Sequence, residues 1–299
     1  MTTTDRRILL TGKNGQLGTE CRCIAPQNHQ LIAVDMPEFD LSNLDNIRKT
    51  LDEVRPEIVF HAAAWTAVDQ AEECEPEAFA INATATAVIA EKVSEQGGRL
   101  VYVSTDYVFS GVGETPWREH DPVAPLNAYG RTKLAGEQAV ADLLGDRGHV
   151  VRTSWLYGRR GANFVRTMLH LMKQGRSLKV VEDQLGSPTW AGGLARAMFA
   201  LAECEDAPPI LHFTDGGIAS WCDFATQIRK DGLANGLDLD ASSVQPCPSS
   251  AYPTPAARPS WSPMHFSDAW SDLGIAQAPW QDALRDALPL LLLEDDRIL

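Results

Sequence analysis

The sequence predicts an α/β fold built on a parallel sheet. Two observations lead there: short apolar runs alternate with helix-patterned stretches through the first half of the 299 residues, and a glycine-rich turn follows the first run. The runs are RRILLTG (6–12), QLIAVD (30–35), EIVFHAAA (57–64) and RLVYVSTD (99–106). Such alternation marks βαβ units, whose strands are buried on both faces and read as nearly continuous apolar stretches.

Between the second and third runs, LSNLDNIRKTLDEV (41–54) places Leu44, Ile47 and Leu51 at helical spacing. Ser42 with Asp45 three residues later resembles a capping box at its start. PEAFAINATATAVIAEKVSEQGG (76–98) opens on Pro76 and closes on Gly97-Gly98, the asymmetry of a helix. After HVVRTSWLYG (149–158) the rhythm loosens. NFVRTMLHLMKQG (163–175) and PTWAGGLARAMFALAE (188–203) predict helices, while SLKVV (177–181) and ILHFTD (210–215) predict short strands. PCPSSAYPTPAARPSWSP (246–263) reads as a long structured loop, because its prolines remove donors and fix φ. No internal repeat is visible.

The length allows one large α/β domain or two that share a cleft. With 44% hydrophobic and 22% charged residues the composition is that of an ordinary globular protein. A formal net charge of −14 leaves no basic surface for nucleic acid. A small phosphorylated ligand stays compatible with it, since backbone N–H groups at a helix start bind phosphate locally. MTTTDRRILLTG lacks a signal-peptide core, and the longest apolar run, ALPLLLL (287–293), is interrupted by Pro289 and too short to span a bilayer. The expectation is a cytoplasmic protein without a membrane anchor. Cys21, Cys23, Cys74, Cys204, Cys222 and Cys247 form no CxxC pair and have no histidines at zinc spacing, so we expect free thiols and no metal site.

ILLTGKNGQLGTE (8–20) sets Gly12, Gly15 and Gly18 after the first strand and at the start of a helix. Small residues there let the backbone turn tightly and approach a pyrophosphate seated on the helix N-terminus. The spacing is GxxGxxG, and a glycine-rich turn without a ligand is its competing reading. Asp35 ends the second run, seventeen positions beyond Gly18, where a carboxylate accepts from ribose hydroxyls. It would also repel a 2′-phosphate, and no arginine follows closely. These residues favour NADH, with NADPH left open.

NAYGRTK (127–133) places Tyr129 and Lys133 four apart, on one helix face. A cation beside a phenol is expected to lower its pKa from about 10, and Lys133 can also bond a ribose. Carbonyl reduction needs a hydride on one side and a proton for the developing alkoxide on the other. Tyr129 is placed to deliver the proton, and Thr105, at the end of the fourth strand, to hold the carbonyl oxygen. A lone YxxxK equally describes a solvated helix face. The glycine cradle, the acidic residue, the strand-end hydroxyl and YxxxK in workable order argue against that.

This order resembles the extended short-chain dehydrogenase/reductase superfamily and, within it, the dTDP-4-dehydrorhamnose reductase family. The likeness runs from LLTGKNGQLG through AAAWTAVDQAE, STDYVFSG, PLNAYGRTKLAGE and RTSWLYG to DQLGSPT and AYPTPAARPSWS, nearly the whole chain. It implies a Rossmann-type doubly wound sheet over roughly residues 1–155, with later segments returning to it, and a smaller α/β sugar-nucleotide domain mainly over 156–299. The implied activity is reduction of a dTDP-linked 4-keto sugar to dTDP-L-rhamnose with NADPH or NADH.

Thr105, Tyr129 and Lys133 match the family's catalytic trio. Its cofactor contacts fall on Gly15, Gln16, Leu17, Asp35, Asp40, Leu41, Ala63, Ala64 and Trp65, and its substrate contacts on Thr105, Asp106 and Trp155. Asn163, Gln184 and Arg258 join the substrate side as candidates. Asp106 as a loop cap, Trp155 as core and Arg258 as a surface arginine remain competing readings. Some members bind Mg²⁺ through carboxylates at a dimer contact. Here Glu20 matches one ligand, but Gly192 stands at another, so a monomer or weak homodimer without magnesium is expected. Two other functions stay open: a related reductase of an antibiotic deoxysugar pathway, such as one forming dihydrostreptose, and a non-catalytic nucleotide-binding regulatory subunit.

Overall fold

A computed structural model describes residues 5–239 and 241–293; residues 1–4, where the N-terminal reading begins, lie outside the described residues. The apolar runs become strands β1 (Arg7–Thr11), β2 (Gln30–Val34), β3 (Ile58–His61) and β4 (Arg99–Thr105). With β5 (Gly148–Thr153) and a sixth strand, Ile210–His212, they form one parallel sheet. The order is sixth strand, β5, β4, β3, β1, β2. The order in which strands are added therefore reverses between β1 and β3, and a doubly wound sheet binds ligands outside the carboxyl ends of its strands at such a point.

Strand alternation sorts the core into two layers. Ile8, Leu10, Phe60, Val101 and Val151 face α1 (Gln16–Ile24) and the later helix Ala191–Ala202. Leu9, Val59, Leu100, Tyr102 and Val150 face the opposite side, where α2 (Leu44–Val54) packs. Ser42 does not start α2. Asn43 caps it by accepting from the Asn46 N–H, while Ser42 donates to Asp40.

The stretch read as one helix from Pro76 is more complicated. After α3 (Val68–Glu73) it runs as α4 (Glu75–Phe79), a π-helical turn at Ala80–Thr84, then α5 (Ala85–Glu95). Helix α6 (Ala128–Leu144) carries the YxxxK residues, and Asn127 caps it by accepting from Gly130 N at 2.8 Å.

Residues 164–173 form α7 (Phe164–Lys173), Ala191–Ala202 is α8 and Trp221–Ala234 is α9. Helices α7 and α9 and the terminal helix Trp280–Leu293 share a separate apolar cluster that includes Leu169, Phe224 and Leu288. A two-stranded parallel ladder, Ser177–Val181 with Ser243–Cys247, lies beside it. The run ALPLLLL thus packs inside a helix. Among the described residues no helix is long and apolar enough to cross a membrane, and the cysteines are free thiols. Within the proline-rich loop only a short turn, Ser249–Ala251, is helical.

Candidate active site

Two of the three glycines after β1 are demanded by packing. Gly12 takes a left-handed φ of 78°, and a Cβ there would lie 2.9 Å from Ala63 N, because the loops after β1 and β3 touch at the switch point. A Cβ on Gly18 would sit 2.0 Å from Gly12 O. Gly15 is freer: it precedes α1 with an ordinary φ of −70°, and its nearest such contact is 3.3 Å away. Helix α1 has neither a side-chain cap nor an acidic residue in its first turn. Its leading N–H groups and positive dipole end thus suit a pyrophosphate. Leu17 is buried, and Gln16 Oε1 is buried without a hydrogen-bond partner. These features fit a dinucleotide.

Asp35, just past β2, accepts from Asn14 N through Oδ2 and from Met36 N through Oδ1, both at 2.9 Å. Each oxygen keeps further acceptor capacity for a ribose hydroxyl. Asp40 closes its own turn by accepting from Ser42 N and Oγ, and Leu41 is buried beneath it. Ala63, Ala64 and Trp65 follow β3 and are half-buried; Ala63 N donates to Thr11 Oγ1 at 3.2 Å.

Asn82, inside the π turn, escaped the sequence reading. Its Oδ1 accepts from Trp65 N at 2.8 Å, and its Nδ2 donates to Trp65 O at 3.1 Å and to Thr132 Oγ1 at 3.0 Å. One amide therefore ties the loop after β3 to α6. A buried asparagine in an otherwise alanine-rich helical stretch was the available signal, since π turns gather at functional sites.

At the carboxyl end of β4, Thr105 Oγ1 donates to Asp106 Oδ1 at 3.0 Å and accepts from Tyr107 N at 3.2 Å. Thr105, not Asp106, is thus the side chain that caps the short turn after β4. The Tyr129 phenol reaches the Thr105 hydroxyl from the first turn of α6, and its ring joins a cluster with Trp65 and Ala128. Burial pushes the Asp106 carboxyl up to about 6, against hydrogen bonds from Ser262 and Thr105.

The expectation that Lys133 acidifies Tyr129 does not hold in this structure. Burial, with the nearby Asp106, drives the phenol well above its ordinary value, and Lys133 is not among the groups that shift it. The ammonium instead donates to Val103 O at 2.7 Å and lies 3.9 Å from the Tyr102 ring centroid. Burial pulls Lys133 down to about 7, against the charge of Glu137. A phenol that stays protonated suits proton donation, the role required in the reductive direction.

The remaining candidates spread toward the C-terminal cluster. Trp155 has a left-handed φ of 47°, and its ring stacks on Trp221 with centroids 3.5 Å apart. Gly186 accommodates it, since a Cβ there would lie 2.5 Å from the indole. Trp155 is half-buried rather than core. Asn163 caps α7 through Oδ1, and its Nδ2 donates to Gly158 O at 2.9 Å, so both ends of its amide brace the chain. Gln184 is half-buried in the loop before Leu185–Gly186. Arg258 grips Asp69 with two hydrogen bonds of 2.8 Å and is not a loose surface arginine.

Glu20 is fully buried and accepts from Arg159 N, Nε and Nη2. Position 192 leaves no room for a carboxylate, because a Cβ on Gly192 would sit 2.5 Å from the Trp190 ring. Among the described residues no three His, Cys, Asp or Glu side chains gather to hold a metal.

A family model described as the RmlD substrate binding domain matches residues 6–292. The chain is 38% identical over 291 residues to the dTDP-4-dehydrorhamnose reductase of Shigella flexneri, covering 94% of this chain and 96% of that protein. It is 41% identical over 289 residues to a Streptomyces antibioticus protein named probable dTDP-4,6-dihydroxy-2-methyloxan-3-one 4-ketoreductase, with 96% of each covered. A solved dTDP-4-dehydrorhamnose reductase from Bacillus anthracis, in complex with NADP, is similar in fold, with a TM-score of 0.88 and 34% identity over 96% of this chain and 99% of that one. With the family model spanning nearly the whole sequence and relatives of this identity matched end to end, the chain belongs to the dTDP-4-dehydrorhamnose reductase family.

Proposed function

We propose that this protein reduces the 4-keto group of dTDP-4-dehydro-L-rhamnose to give dTDP-L-rhamnose, with NADPH or NADH as reductant. The observation that carries the reading is the meeting of Thr105 and Tyr129 at the carboxyl end of β4, with Lys133 one turn behind, on the same edge of the parallel sheet as the uncapped start of α1. When bound, the reduced nicotinamide supplies the hydride. Tyr129 gives its proton to the oxygen as negative charge develops, and burial keeps that proton in place until then. The Thr105 hydroxyl holds the same oxygen. Lys133 contributes a ribose contact and, while protonated, a positive charge.

In this proposal residues 1–155 bind the cofactor, joined by α8 and the sixth strand, and 156–299 mainly bind the sugar nucleotide. Gly12, Gly15, Gln16, Leu17, Gly18, Asp35, Asp40, Leu41, Ala63, Ala64 and Trp65 line the cofactor side, and Lys133 and the Tyr129 ring border it. Thr105, Asp106, Trp155, Gln184 and Arg258 meet the substrate, and Asn163 shapes the loop beside it. The enzyme works in the cytoplasm as a monomer or weak homodimer.

The Streptomyces antibioticus relative, at similar identity, supports a second reading in which the chemistry is kept and the sugar changes. NADPH oxidation followed with dTDP-4-dehydro-L-rhamnose and with dTDP-4-keto-6-deoxy-D-glucose separates them. Failure of wild type to turn over the first, or undiminished turnover by Tyr129→Phe, defeats the leading reading. Preference for the second sugar replaces it. Tight cofactor binding with no turnover of either would favour the regulatory subunit.

A further inference from the structure

The functional stripe on α6 continues past Lys133. Glu137, one turn further, is buried, with 4% of its surface exposed. Arg152 Nε donates to Oε1 at 2.9 Å and Nη2 to Oε2 at 2.6 Å, while Ser104 Oγ donates to Oε1 at 2.5 Å. Arg152 belongs to β5 and is itself 2% exposed. Its remaining nitrogen donates to Glu119 O at 3.2 Å, and its guanidinium lies 5.1 Å from the Phe109 ring centroid.

Ser104 stands between the two β4 residues that matter most. Val103 offers the carbonyl that receives the Lys133 ammonium, and Thr105 offers the hydroxyl that meets Tyr129. One carboxylate therefore joins β5, the end of β4 and the helix that carries Tyr129 and Lys133. A buried ion pair is often no more stabilising than well-packed apolar groups, so stability alone does not explain this one.

We propose that Glu137, clamped by Arg152 and Ser104, is a positioning residue: it locks α6 against β4 so that Lys133 sits at Val103, and it supplies the negative charge that keeps the buried ammonium charged. The inference rests on the proposed reductase reading only in that Lys133 acts as a cation toward the cofactor. Lys133 is faced by neutral His61 from β3, by Tyr102 from β4, and by Tyr129 and Glu137 from its own helix, with Arg152 of β5 behind Glu137. Glu137 is the carboxylate among these that raises the affinity of Lys133 for its proton.

The test is calorimetric binding of NADPH from mildly acid to alkaline pH, for wild type, Glu137→Gln, Ser104→Ala and the double variant Glu137→Met with Arg152→Met. In wild type, affinity should fall as Lys133 loses its proton. In Glu137→Gln the midpoint of that fall should move toward acid by about one pH unit. Ser104→Ala keeps the carboxylate and should keep the midpoint. The double variant removes both buried charges, so it remains informative if Glu137→Gln does not fold, and it should shift in the same direction by less, because the Arg152 cation is removed with the carboxylate. A wild-type midpoint in either carboxylate-free variant would overturn the proposal, whatever sugar the enzyme reduces. Absence of sugar turnover by wild type, together with a shifted midpoint in the variants, would count against the reductase reading and leave this inference standing.

Discussion

Arg258 and Asp69 are joined by two parallel hydrogen bonds of 2.8 Å, a fork on a carboxylate that ties the proline-rich loop to α3. Ala256 N donates to the same carboxylate at 3.1 Å. In the proposed substrate role, a nucleotide diphosphate, which offers the same pair of oxygens, would take the fork in place of Asp69. Arg258→Lys keeps the charge and loses the fork. We expect KM for the dTDP-sugar to rise about tenfold with kcat nearly unchanged. A variant with wild-type KM would remove Arg258 from the substrate side.

The glycines of the cradle should separate by role. Gly18→Ala drives a Cβ to 2.0 Å from Gly12 O, and a loss of about 3 kcal/mol in stability is expected. Gly15→Ala meets one tight neighbour, Gly12 O at 3.3 Å, and has ordinary dihedrals, so it should melt within about 0.5 kcal/mol of wild type. Its added methyl instead stands where a pyrophosphate must approach, and cofactor affinity should fall about tenfold, a cost near 1.4 kcal/mol. Thermal melts and cofactor titration on both variants check this; equal effects on stability would refute the distinction.

Tyr129→Phe removes the proposed acid and little else, because the ring keeps its packing against Tyr107 at 5.7 Å. The melting temperature should hold, while turnover falls by about 10² to 10⁴. Cofactor titration should be unaffected, which distinguishes lost chemistry from a lost site.

Asp106 gives a pH dependence of known sign. Its carboxyl is raised from 3.8 to about 6 in the folded protein, so between those values the native state holds a proton that the unfolded chain has released. Stability from this group is therefore greatest below the window and falls as pH rises through it. The full penalty above pH 6 is on the order of 3 kcal/mol. Asp106→Asn should gain stability over wild type progressively from acid to neutral pH and lose turnover. Melting curves across that range decide it, and a gain independent of pH would count against the assignment.

Magnesium should not matter. The Glu20 carboxylate already receives Arg159 at 3.0 to 3.2 Å, and a guanidinium occupies the lone pairs that a hard cation would need. Chelator and added Mg²⁺ should leave sedimentation and activity unchanged. Arg159→Ala, by contrast, strands a buried carboxylate and should cost about 3 to 5 kcal/mol. A Mg²⁺-dependent dimer would contradict this account.

Much of the site was legible because it is written in local patterns. The order of strand, glycine turn, acidic residue, strand-end hydroxyl and YxxxK fixes which residues reach the carboxyl edge of the sheet, and Gly12, Asp35, Thr105 and Tyr129 all lie there. Local pattern failed where two neighbouring candidates competed or where a distant partner decided. Ser42 and Asn43 are equally good caps by type, and only the position of Asp40 sends Ser42 elsewhere. The π turn at Ala80–Thr84 follows from Asn82 binding Trp65 and Thr132, contacts 17 and 50 residues away.

By itself, then, the sequence determined the parallel α/β framework, the glycine-rich turn after its first strand and the spacing of the candidate reacting side chains, since periodicity, turn chemistry and i to i+4 spacing act over a few residues. Tertiary structure alone decided their electrostatics: that the phenol is held protonated and not acidified, that Lys133 turns to Val103, and that Glu137, Arg152 and Asp69 have the partners they do. The physical reason is that burial and charge pairing depend on what the folded chain brings together across the sheet, and a linear pattern carries no record of those distances.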